Sequence, residues 1–182
     1  HPCPQQGDIP SLLCVLILDA DGGRICCKYF SPDFALLSEQ QAFEKKMFEK
    51  SSRTNAKSEA EIVLFDSMVS VYKNSTDAWF FVVSRQSENE LLLANVLGTL
   101  CEALMLNLRS LDKRVMLDNY ETVLLTVDEL IDGGMLLETD ANSIANRVGM
   151  KAANESVAPP ETSSFSFAFS SAKESFARSL LR

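Results

Sequence analysis

Histidine is nearly missing from this chain. Of 182 residues one is histidine, His1. That removes imidazole acid–base catalysis, histidine-activated nucleophiles and nearly all zinc sites. Cations are scarce as well. Seventeen Lys and Arg stand against 25 Asp and Glu, a formal charge of −8 and a pI near 4.7. This balance argues against nucleic acid and anionic membrane as main partners, since both reward basic surfaces. The five cysteines form an odd set without framework spacing. Cys14 and Cys101 lie in apolar runs, where a reduced thiol behaves as a small hydrophobe, so the compartment reads as reducing and cytosolic. Glycines are few, and none sits in a GxxxxGK[ST] or GxGxxG frame; Gly133-Gly134 reads as a helix C-cap. No signal peptide or spanning segment is visible, and a start on His1 rather than Met reads as a trimmed or partial product.

Apolar sequence is plentiful: 46% of residues are apolar and 23% charged, ordinary for one soluble globular domain. The stretch Ser87 to Leu108 is the centre of the pattern. Ser87 and Glu90 stand three apart before an apolar run, the spacing of a capping box. Leu93, Val96, Leu97, Leu100, Leu104 and Leu108 recur at helical steps, and Leu91, Leu92, Cys101, Met105 and Leu106 widen the stripe. A helix apolar nearly all round needs cover on more than one side. Asn95, Gly98, Thr99 and Glu102 interrupt it too often for a membrane span. The surplus of leucine predicts a partner interface, of a kind that commonly buries on the order of 2,000 Å² or more.

The remaining elements follow in order. Residues 1–10 are Pro-rich and read as a flexible N-terminus. Ser11–Leu18 is an uninterrupted apolar run, a central strand, and Asp19–Gly23 turns it into a second strand at Arg24–Phe30. Phe34–Ser51 has helical spacing, with Leu36 or Leu37, Phe43, Met47 and Phe48 inward and Glu39, Glu44, Lys45 and Lys46 outward. Three strands are expected at Glu61–Phe65, Met68–Lys73 and Ala78–Ser84, the last again central. After the long helix come a helical continuation at Asp112–Leu117, a helix at Tyr120–Ile131, a short element at Met135–Glu138 and a small helix at Ala141–Val148. The expected fold class is α+β: a five-stranded, mainly antiparallel sheet between helices, with the second and third strands at its edges and extra helices after it. The domain spans 11–148, followed by a linker at 149–164 and a helical tail at 165–182.

Few constellations suggest chemistry. Asp19-Ala-Asp21-Gly opens like a calcium loop, but Arg24 and Phe30 occupy its sixth and twelfth positions, so it reads as a hairpin turn. Cys26 and Cys27 are adjacent in a strand and point to opposite faces, unlike a redox pair. Asp128, Glu129 and Asp132 read as a solvated face or a salt bridge to a partner's basic surface before a metal site. No catalytic, cofactor-binding or metal site is expected.

Several phrases, ILDADGGRICCKYF (17–30), EQQAFEKKMF (39–48), the run 53–83, SENELLLANVLGTLCEAL (87–104), VDELIDGGMLLETD (127–140) and a closing SLLR, resemble the coatomer zeta-subunit family. More distantly they resemble the small (sigma) subunits of clathrin adaptor complexes. The resemblance implies a longin-like fold and a non-enzymatic small subunit of the COPI coat, paired with the gamma coatomer subunit. It also implies recruitment with the coat by an Arf-family GTPase to Golgi membranes, for retrograde Golgi-to-ER and intra-Golgi transport. Residence is then the cytoplasm, peripherally on Golgi and vesicle membranes through the complex, with no nucleic-acid partner. Sorting-signal binding, known of sigma subunits, is not implied, because Ile25 stands about where a basic residue is wanted. The alternatives are a longin-domain trafficking regulator or the small subunit of a clathrin-type adaptor. Interface candidates are Leu92, Met105, Tyr120, Leu124 and Asp128, with Phe169 and Phe176 on the tail, where Phe169, Ala172, Phe176 and Leu180 form one helical stripe. That tail packs back on its own domain or docks on a coat partner, ahead of inserting in a membrane.

Overall fold

The computed structural model describes residues 12–54 and 59–157. Strand β1 (Leu12–Asp19) is buried along its whole length and pairs antiparallel with β2 (Arg24–Tyr29) on one side and β5 (Ala78–Arg85) on the other. With β3 (Glu61–Phe65) and β4 (Met68–Ser75) they form a sheet of order β2-β1-β5-β4-β3, so the two unbroken apolar runs are central neighbours and β2 and β3 are the edges. This is the α+β arrangement the apolar pattern requires. A strand without polar alternation must have cover on both faces. Val15 and Ile17 join one core with Phe80 and Val82, while Cys14, Leu16 and Leu18 join the other with Trp79 and Phe81.

Helix α1 (Leu37–Ser51), preceded by a 3-10 turn at Pro32–Phe34, covers the second core with Phe43 and Met47. Leu36 and Leu37 are exposed rather than inward, because the regular helix begins only at Leu37. Glu44 is a second departure: expected outside, it is only 4% exposed. Its carboxylate is drawn inward by Arg24, at 2.7 Å from Nε and 2.5 Å from Nη2, and by the Tyr29 hydroxyl at 2.7 Å.

Helix α2 (Glu90–Leu108) covers the opposite face with Leu93, Val96, Leu97, Leu100, Ala103 and Leu104. Its most apolar window has a mean hydropathy of 1.7, which by length and composition alone reaches the level of a spanning helix in spite of the polar interruptions. Here only part of that hydrophobicity, 39% of the window, is buried inside the protein. The Ser87–Glu90 capping box is not formed. Asn89 is the N-cap, and its side-chain oxygen accepts from Leu91 N–H at 2.9 Å. Glu90 is already the first helical residue, too early to reach back as the third residue of a box must. Asn89→Ala is therefore expected to cost about 0.5–2 kcal/mol and Ser87→Ala less than about 0.5 kcal/mol. Urea unfolding of the two variants checks this, and a larger loss at Ser87 would return the cap to that residue.

Short helix α3 (Lys113–Asp118) and α4 (Tyr120–Leu130) follow, α4 lying against α2 and β2. Gly133-Gly134 does not cap α4. That helix ends at Leu130, and both glycines, at φ +55 and +82, form the turn of a small hairpin between β6 (Ile131–Asp132) and β7 (Met135–Leu136). Leu12 N–H donates to the Gly134 carbonyl at 2.8 Å and ties this hairpin to the first residue of β1. Helix α5 runs from Ala141 to Val157, well past Val148, where composition places the opening of a linker. The chain divides after Gly149. The first unit holds the sheet, α1–α4 and α5 up to Gly149, and the described part of the second is the rest of that helix to Val157. The expectations for residues 1–10 and 165–182, including Phe169 and Phe176, lie outside the described residues.

Candidate interaction surfaces

The described thiols are poor nucleophiles. Burial pushes Cys26 and Cys101 up to about 11, and raises Cys14 and Cys27 well above the ordinary thiol range. Cys26 packs in the α2-side core and Cys27 against the α1-side core, on opposite faces of β2 as adjacent strand residues must be.

The Asp19 turn is knit by hydrogen bonds and an ion pair. Asp19 Oδ1 accepts from Asp21 N–H at 2.9 Å and Gly23 N–H at 2.7 Å, and Oδ2 takes the Lys113 ammonium at 2.7 Å. Burial alone would raise this carboxyl. The Lys113 bond and the two backbone donors outweigh it and hold Asp19 below the usual carboxylate range. The result is a clasp between the β1–β2 turn and α3.

Two acidic residues of α4 are paired within the chain. Asp128 pairs with Lys28 of β2. Glu129 takes Arg147 Nε at 2.8 Å, and the same guanidinium reaches Glu138 at 3.2 Å, fixing α5 to α4 and to the loop before it. Among the described residues no cluster of three potential ligands has metal-site geometry.

Leu92 lines a groove of about 410 Å³ with Asn95, Thr99 and Glu102 of α2, closed by Leu136 of β7 and Thr139 just after it. Met105 is on the other flank of α2, in a groove of about 470 Å³ with Lys73, Asn74, Cys101 and Leu111. Tyr120 is partly exposed at the start of α4, its hydroxyl against Cys26, and Leu124 is half-buried on the core. The named residues thus lie on three sides of the α2–α4 layer and do not converge on one patch. Apolar exposure beyond the interface candidates extends them: Leu91 is 74% exposed, and Leu106, Met135 and Leu137 are also open. Because α4 and β6–β7 cover only one flank of α2, the stripe on its outer side stays bare. The signal was the excess of leucine on α2; which leucines would be left over depends on the packing of α4.

Residues 11–155 match the family model of the clathrin adaptor complex small chain. Coatomer subunit zeta-1 of Arabidopsis thaliana is 43% identical over 174 residues, which are 95% of this chain and 98% of that protein. Coatomer subunit zeta-3 of Oryza sativa subsp. japonica is 44% identical over 172 residues, covering 94% and 97%. Coatomer subunit zeta-1 of Homo sapiens is 41% identical over 169 residues, 92% of each chain. Among structures, a chain in a homology model of the full-length AP-3 complex in a stretched open conformation aligns with a TM-score of 0.61 at 21% identity, over 80% of this chain and 96% of that one. That likeness speaks to fold alone, and it agrees with the longin-like expectation. By sequence over nearly its whole length, and by its sheet and helices, the chain belongs to the clathrin adaptor complex small chain family, on the coatomer zeta-subunit branch.

Proposed function

We propose that this protein is the zeta-type small subunit of the COPI coat, a non-enzymatic piece that works through its surfaces. The observation that carries the reading is the 43% identity to a coatomer zeta subunit across 95% of one chain and 98% of the other. Its large partner is the gamma coatomer subunit, and the complex is brought by an Arf-family GTPase from the cytoplasm to Golgi membranes for intra-Golgi and retrograde Golgi-to-ER transport. The chain meets the membrane only through the complex, as its charge of −8 favours.

The bare outer stripe of α2, with Leu91, Leu92 and Leu106, and the neighbouring Met135 and Leu137 support this reading, since isolated soluble domains seldom leave so many large apolar side chains on one layer. We place the gamma contact there, with Leu92 among its residues. The test is affinity purification of the tagged full-length chain from cytosol, followed by mass spectrometry. Coatomer subunits should be recovered together, and Leu91→Glu combined with Leu92→Glu should release the gamma subunit while leaving the helical circular-dichroism signal intact. Recovery of adaptor subunits without coatomer would overturn the assignment.

A further inference from the structure

The far edge of the sheet combines features that the coat assignment does not use. Among the described residues no strand lies beyond β3 in the order β2-β1-β5-β4-β3. In an antiparallel pair, backbone groups point alternately toward the neighbour and away from it. The Leu64 carbonyl points away, because the Lys50 ammonium reaches it from α1 at 3.4 Å. Ile62, two residues earlier, presents its N–H and C=O outward in the same register.

The side chains of β3 alternate too. Ile62 and Leu64 pair across to Val71 and Val69, which belong to the α2-side core, so they project on that face; they are 51% and 53% exposed. Val63 and Phe65 project toward α1. Above the Phe65 ring stand the ammonium groups of Lys50, at 4.4 Å from the centroid, and Lys46, at 6.0 Å. With Arg53 they line a groove of about 480 Å³, flanked by Glu49 and Asp66. None of these three cations forms an ion pair among the described residues. In a chain of net charge −8, that is a local reversal of sign beside an open strand.

We propose that the β3 edge docks an extended peptide of a partner protein in which acidic and apolar side chains alternate, the peptide adding a further strand to the sheet. Its backbone would pair with the outward groups of Ile62 and Leu64. Its carboxylates would meet Lys46, Lys50 and Arg53 on the α1 face, and its apolar side chains would cover Ile62 and Leu64 on the α2 face. Strand addition takes affinity from the main chain and selectivity from alternate side chains, the pattern this edge displays. One lysine would suffice to guard an edge against aggregation. Three cations around an aromatic floor, with bare aliphatics on the reverse side, are more than a guard needs. A lipid surface fits less well, because the cations and the aliphatic pair lie on opposite faces of the strand and cannot meet one plane.

The test uses the purified full-length chain and does not rest on coat membership. A labelled peptide of about eight residues, a common strand length, alternates Glu and Val; a control alternates Lys and Val. Fluorescence anisotropy should detect binding of the first and not the second. Lys46→Glu combined with Lys50→Glu should weaken it about tenfold or more, as loss of two charge-assisted contacts implies. Both lysines are exposed, so folding is not at stake. Hydrogen exchange at the Ile62 and Leu64 amides should slow when the peptide is bound. Absence of binding, equal binding of the Lys peptide, affinity retained in the double variant, or binding without amide protection would each overturn the proposal. Capture by anionic vesicles that is lost in the double variant, with no peptide affinity, would overturn it in favour of a membrane contact.

Discussion

Gly134→Ala should destabilise the protein by about 3 kcal/mol or more, while Gly133→Ala costs only about 1 kcal/mol. Both residues have positive φ, +55 at Gly133 and +82 at Gly134, so both replacements carry the penalty of an L side chain in left-handed backbone. Their surroundings differ. A Cβ on Gly133 meets nothing within 4 Å, whereas one on Gly134 falls 2.6 Å from the Leu12 carbonyl oxygen and 3.3 Å from Phe30 Cβ. The obstacle is backbone of a central strand, which cannot swing aside as a side chain would. Relief requires lifting the β6–β7 hairpin off β1, which also breaks the 2.8 Å bond from Leu12 N–H to the Gly134 carbonyl, worth about 1 kcal/mol more. Urea unfolding of the two variants side by side measures the difference. Equal losses would mean that the hairpin relaxes freely and that its contact with β1 is not a fixed part of the fold.

That contact also marks where sequence reading stops. β1 and β5 were legible as central neighbours because SLLCVLIL and AWFFVVS carry no polar alternation, a pattern only a doubly covered strand tolerates. The edge positions of β2 and β3 follow from the same constraint. Gly133-Gly134 was ambiguous, since a helix stop and a two-residue hairpin turn both draw on glycine at positive φ. The choice was made by Leu12, far away in sequence, whose N–H needed the Gly134 carbonyl. In SENEL, both Ser87 and Asn89 are good caps, and which one serves depends on where the β5–α2 turn releases the chain. Exposed apolar area was legible as a quantity and not as a place. Excess leucine on α2 announced exposed apolar area, but α4 and the small hairpin decide that Leu91 and Leu106 stay open while Leu93 and Leu104 do not. The groove on Phe65 needed side-chain positions from α1 and β3 together, and no local pattern carries that.

Arg24→Met is expected to cost about 2–3 kcal/mol, and adding Glu44→Leu should recover most of it. Glu44 sits on the inner side of α1, and its carboxylate is met by Arg24 through Nε at 2.7 Å and Nη2 at 2.5 Å, with the Tyr29 hydroxyl donating at 2.7 Å. Burial, and then the bond to this carboxylate, push the Tyr29 phenol well above its ordinary range, so the hydroxyl keeps its proton as a donor. Removing Arg24 leaves a buried negative charge beside Tyr29, with one side-chain donor remaining. For a fully buried pair the loss would be about 3–5 kcal/mol; the Arg24 side chain is 32% exposed, so water already screens part of the attraction and the lower figure applies. In the double variant no buried charge remains, and leucine fills the space beside Tyr29, whose hydroxyl still lies 3.3 Å from the Gln40 carbonyl. A double-mutant cycle read by chemical denaturation should therefore show strong non-additivity, the double variant standing nearer to wild type than Arg24→Met does. Additive losses would mean that Glu44 turns out to water when Arg24 is gone, and that the ion pair does not hold β2 against α1.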